Sequence, residues 1–107
     1  MVEIRGTSVR MVRGDTVEIT IEIKDQDGDV YTPTGGDVVR FALKKNYSDP
    51  EPLILKDCTD LQLHIDAAET KKLAFGLYVY DIELTKEDGT VDTFISRAKW
   101  EILQEVY

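Results

Sequence analysis

The chain has 107 residues, 42% of them hydrophobic and 32% charged, and its 21 acidic side chains against 13 basic ones leave a net charge of -8. That length fits one domain around one core, and few prolines and glycines beside a sizeable apolar fraction exclude collagen-like, low-complexity and disordered classes. The acidic balance argues against nucleic acid, which requires clustered Lys and Arg, and against an anionic membrane surface.

The first residues, Met1-Val-Glu-Ile-Arg5, lack the apolar run of a signal peptide, and no stretch of about 20 apolar residues could span a bilayer. Synthesis and retention in a cytoplasm are expected. Arg13-Gly14-Asp15 spells a tripeptide of cell-adhesion ligands, but Gly-Asp ahead of a strand is ordinary turn chemistry. From Thr16 to Lys24, Val17, Ile19, Ile21 and Ile23 alternate with polar residues, which predicts a half-buried strand. Asp25, Asp27 and Asp29 with Gly28 then form a hairpin turn returning through Val30 and Tyr31. Their alternation resembles a calcium loop, yet the sixth-position glycine and twelfth-position glutamate are missing, so no metal site is assigned.

After a loop with Pro33, Gly35 and Gly36, the alternation of Val39, Phe41 and Leu43 with Arg40, Ala42 and Lys44 predicts a second strand. Asn46 to Pro52 breaks it; Leu53 to Lys56 and Leu61 to Ile65 are shorter strands. Cys58, the lone cysteine, can form no internal disulfide, which is compatible with a reducing compartment. His64, the lone histidine, falls on the outer side of its strand, and nothing nearby completes a nucleophilic dyad with Cys58. Residues 66 to 73 alone carry a helical pattern, with Asp66 as N-cap and Glu69 three positions on.

Gly76 restarts extended structure, and Tyr78, Tyr80, Ile82 and Leu84 share a face. Asp88-Gly89 predicts an antiparallel hairpin between 77–86 and 91–102, with Phe94, Ser96, Ala98, Trp100 and Ile102 of one parity on the returning strand. Short strands joined by Gly, Asp and Pro turns, without crossover helices, predict a single all-β domain over 1–107, an antiparallel sandwich of about seven strands with a small barrel as the alternative. Gly76 and Tyr78, just after a helical turn, fit the tyrosine corner of immunoglobulin-like sandwiches, in which the phenol bonds back to preceding backbone. The apolar end at Trp100, Leu103, Val106 and Tyr107 reads either as a last core strand or as a contact surface.

No zinc spacing, phosphate-cradling loop or nucleophile elbow occurs, so neither catalytic residues nor a cofactor are assigned. Tyr31, Tyr47 and Tyr80 could serve as aromatic platforms, which keeps a small-ligand or glycan-binding module open as the alternative function.

Met11 to Thr16, Val39 to Lys45, Glu51 to Lys56, Thr70 to Leu73, Gly76 to Ile82 and Asp88 to Ile95, with Asp27-Gly28 and Tyr31, together resemble a family of small immunoglobulin-like domains from phages and prophages of Gram-positive bacteria. The chain is similar to the N-terminal domain of phage baseplate upper proteins, without the receptor-binding or coiled-coil extension that follows in a complete one. The resemblance implies a non-enzymatic structural adaptor of a tail, baseplate or head, made in the host cytoplasm and built into the virion, that contacts other phage structural proteins or a second copy of itself.

Overall fold

The computed structural model describes residues 2–24 and 27–104. Its strands are β1 (Val2–Arg5), β2 (Ser8–Val12), β3 (Val17–Thr20), β4 (Ile23–Lys24), β5 (Val30–Tyr31), β6 (Val38–Lys44), β7 (Ile54–Asp57), β8 (Gln62–Ile65), β9 (Gly76–Thr85) and β10 (Val91–Leu103), and the one helix is α1 (Ala67–Lys71). Six strands in the order β1-β2-β10-β9-β6-β7 form the front layer; β3 pairs with β8, and β4 with β5. The fold is an all-β sandwich in which the six-stranded front sheet packs on the β3–β8 pair.

Two expectations need correction. The sheet is not wholly antiparallel: the first and last parts of the chain run side by side, β2 pairing parallel to β10 with Val9 opposite Trp100 and Met11 opposite Ile102. The strands are also more numerous than the sequence pattern predicts. The apolar run from Thr16 splits after Thr20, because β3 registers with β8 while β4 turns away to register Ile23 with Tyr31.

Alternation then decides the core. Val9 and Met11 of β2, Val39, Phe41 and Leu43 of β6, Tyr78, Tyr80, Ile82 and Leu84 of β9, and Ala98, Trp100 and Ile102 of β10 face inward to Val17, Leu63 and Ile65 of the back layer. Phe41, Tyr80 and Trp100 meet with ring centroids 5.4–5.5 Å apart, Tyr80 and Trp100 edge to face. On β10 the expected parity fails between Thr93 and Ala98, where two register shifts against β9 bring Ile95, not Ser96, opposite Ile82. The second irregularity is pinned where the Arg97 amide, at φ 53, donates to the Asp81 carboxylate at 2.8 Å.

The Arg13-Gly14-Asp15 segment is a structural staple. The Arg13 guanidinium donates to the carbonyls of Leu73 and Lys71 at 2.8 and 2.6 Å, where α1 ends and its last carbonyls lack helical donors. The buried Thr70 hydroxyl donates to the Asp15 carbonyl at 2.9 Å, so the same tripeptide ties the helix to the start of β3 from both ends.

Candidate functional site

Tyr78 and Gly76 form the corner. The Tyr78 hydroxyl, on a side chain 3% exposed, donates to the Ala74 carbonyl at 2.6 Å, and burial raises its pKa. Gly76 sits at φ +144, a conformation that side chains rarely adopt, and Lys45 crosses beside it to donate to the Leu77 carbonyl at 3.1 Å.

Trp100 does not belong to an exposed contact surface. It is 1% exposed, because its parity on β10 turns the indole into the core beside Phe41 and Tyr80. Leu103 is half-buried in a strand end paired with Val12, its carbonyl accepting from the Arg13 amide at 2.9 Å. Val106 and Tyr107 lie outside the described residues, as does Asp25.

His64 and Cys58 are not brought together into a dyad. Cys58 is buried in the core, where desolvation pushes its thiol up to about 11. His64 stands on the outer face of β8 between two carboxylates, Nε2 at 2.6 Å from Asp66 and Nδ1 at 3.4 Å from Glu18, and the Asp66 hydrogen bond raises its pKa. Asp27 and Asp29 flank the turn between β4 and β5; among the described residues no three or more His, Cys, Asp or Glu are grouped to hold a metal ion. Among those residues, too, no helix is long and apolar enough to cross a membrane.

The three tyrosines named as platforms have separate fates. Tyr80 is in the core, its hydroxyl donating to the Thr7 carbonyl across to the turn between β1 and β2. Tyr47 is exposed on the outer side of the front sheet under Arg97, whose guanidinium carbon lies 4.3 Å from the ring centroid; the hydrogen bond from Arg97 lowers the phenol's pKa. Tyr31 lines a cavity of about 480 Å³ at one end of the sandwich, between the β4–β5 hairpin and the end of the β9–β10 hairpin.

That cavity contains residues the sequence did not mark. Asp92, opposite Leu84 in the β9–β10 ladder, Phe94 in the first register shift, and Lys86 join Lys24, Asp27 and Tyr31 in its wall. Behind the wall stands Asp37, 8% exposed and, among the described residues, the one charged side chain that is buried. Its carboxylate accepts from the Tyr31 hydroxyl at 2.5 Å, the Thr34 amide at 3.1 Å and the Glu87 amide at 3.2 Å. Those bonds, the Tyr31 one foremost, hold its pKa below the usual carboxylate range. A three-donor shell satisfies a carboxylate taken out of water, and fixes the ring that donates to it.

Two of the exposed apolar side chains lie close together at the β7 edge of the front sheet. Leu53 and Leu55, at and beside the edge strand β7, are 53% and 57% exposed. Leu55 registers with Ala42 of β6, which registers with Asp81 of β9, so its side is the outer face of the front sheet.

Compared with known proteins, the chain matches no protein-family model, no curated protein and no solved structure.

Proposed function

We propose that this chain is a non-enzymatic structural or adaptor module that works by protein–protein contact. The observation that supports the reading is the β7 edge. Natural sheets blunt open edges with charge, proline or cover, because unpaired backbone beside apolar side chains recruits another chain. Here the edge strand of a six-stranded sheet carries Leu55, with Leu53 just ahead of it, both more than half exposed. Such area beside mixed charges is the composition of a contact patch. The family resemblance sets the proposal in a phage or prophage tail, baseplate or head, with the occupant of the edge either a neighbouring structural protein or a second copy.

Sedimentation velocity of the chain, together with proteomics of purified particles, tests this. Self-association or incorporation that Leu55→Lys abolishes, without lowering the melting temperature, is the expected result. A strict monomer that is absent from particles and bound by no structural protein of its phage overturns it.

A further inference from the structure

The margin of the sandwich away from β7 is apolar too, but it is a hollow. The front sheet ends at β7 on one side and at β1 on the other, five strand spacings or about 24 Å apart. Beside β1 a groove of about 200 Å³ runs between the β1–β2 hairpin and the segment from β3 to β4. Ile4, Ile19, Ile21, Ile82, Ile95 and Trp100 are in its wall. Ile4 is half exposed, and Ile19 and Ile95 are only partly buried, so the core is open along this margin.

Both margins also leave strand backbone open. The Ile21 amide donates to the Leu61 carbonyl at 2.8 Å, so by strand alternation the N–H and C=O groups of Glu18 and Thr20 point away from β8. Among the described residues no strand pairs on that side of β3. The Cys58 amide donates to the Val39 carbonyl at 2.7 Å, so the same alternation turns the backbone groups of Leu55 away from β6, to the open edge of β7. An open edge beside an apolar groove suits an added strand, whose backbone supplies hydrogen bonds while alternate side chains enter the groove.

The chain itself carries a strand of that kind. Leu53 and Leu55 are exposed two residues apart at the open β7 edge, and a cavity of about 150 Å³ already holds a benzene-sized group, so the groove has room for a leucine side chain. The other exposed apolar pair, Phe75 and Leu77, leads into β9, which β10 and β6 pair on both edges, so it cannot add as a strand. A different protein in the groove would leave Leu55 bare, and a two-fold pairing of β7 edges would leave the groove open. A head-to-tail contact between identical copies covers both. We propose that the β7 edge of one copy adds to the free edge of β3 in the next, with Leu55 seated in the groove beside Ile4. This contact rests on the protein-contact reading above and names a second copy as the occupant of the edge.

The test is sedimentation velocity of the parent chain, Leu55→Lys, Ile4→Lys and an equal mixture of the two variants. It is run in about 0.3 M salt, which screens the repulsion between copies of net charge -8. Both substitutions fall on side chains about half exposed at sheet margins, so melting temperatures are expected to stay near the parent's. The parent is expected to form species larger than a dimer, and each variant alone to be a monomer. The mixture is expected to give a one-to-one dimer and nothing larger, because one variant's intact edge fills the other's intact groove and the remaining edge and groove are both blocked. Thr20→Pro, which removes an N–H from the free edge of β3, is expected to repeat the Ile4→Lys result by a different route. A monomeric parent, association of Ile4→Lys like that of the parent, a mixture that stays monomeric, or a mixture that rebuilds the larger species each overturns the proposal. A monomeric parent that still enters particles in a Leu55-dependent way removes the head-to-tail contact and leaves the adaptor reading standing.

Discussion

Two tyrosines in this small sandwich tie a loop down through the phenol, and they do it with opposite chemistry. Tyr78, almost wholly buried, donates to a backbone carbonyl four residues earlier in its own chain segment. Tyr31, half-buried, donates to the buried carboxylate of Asp37, which also holds an amide fifty positions away at Glu87. The first bond is neutral and local and comes from a ring seated in the core, so it fixes how β9 leaves α1. The second is charge-assisted, joins three segments and faces a cavity, so it shapes a surface. A hydroxyl in the core secures the fold; a hydroxyl at a rim secures a wall.

The largest effect that separates the two falls on the corner. Tyr78→Phe removes the donor of the Ala74 carbonyl at a part-buried corner, and urea unfolding is expected to show a loss of about 1 kcal/mol. Equal stability would strip the corner of its role and leave the sandwich resting on strand alternation. Tyr31→Phe is expected to lower the unfolding midpoint less than Tyr78→Phe, because Asp37 keeps its two amide donors.

A third difference lies in pH. The Asp37 pKa is lowered in the fold, so its carboxylate adds stability that is fully present above the ordinary value of about 3.9 and is lost as pH falls through the lower folded value. Melting temperatures followed downward from pH 5 are expected to fall less steeply for Asp37→Asn than for the parent chain, whereas Tyr78→Phe keeps the parent's slope. An unchanged slope in Asp37→Asn would show that the rim carboxylate does not couple to folding. The smallest effect belongs to His64, raised by Asp66 and Glu18 on an exposed face. Its contribution is present in full below about pH 6.5 and fades as pH rises through the folded value, so His64→Gln is expected to flatten slightly the stability profile between pH 6 and 8.

How far each tether could be read from the sequence follows from its range. Gly76 and Tyr78 belong to a pattern contained within a few residues: a helical stretch, a glycine where φ turns positive, and an aromatic at the start of an alternating strand. Asp37 follows a glycine pair in an irregular loop, and its partners at Tyr31 and Glu87 are set by tertiary approach. No periodicity marks it. The same distinction explains β10, where alternation alone put Phe94 and Ser96 in line with Trp100. The Asp81 side chain, on the neighbouring strand, takes the Arg97 amide at the irregularity that breaks that line. β1 and β2 were legible: Val2 and Ile4, then Val9 and Met11, alternate with polar residues, the same two-residue signal that identifies β6. The Leu55 edge was not legible, because which short strand ends a sheet is decided by pairing order.

The contrast between a tether for the fold and a tether for a cavity wall meets its most direct test in native-state hydrogen exchange on Tyr31→Phe and Tyr78→Phe, compared amide by amide with the parent chain. The expected result for Tyr31→Phe is faster exchange at Thr34, Asp37 and Glu87, with the core amides of Phe41, Tyr80 and Trp100 as protected as before; Tyr78→Phe is expected to speed exchange at those core amides. Equal loss of core protection in both variants would contradict the account, since Tyr31 would then be securing the fold and not the wall of the cavity.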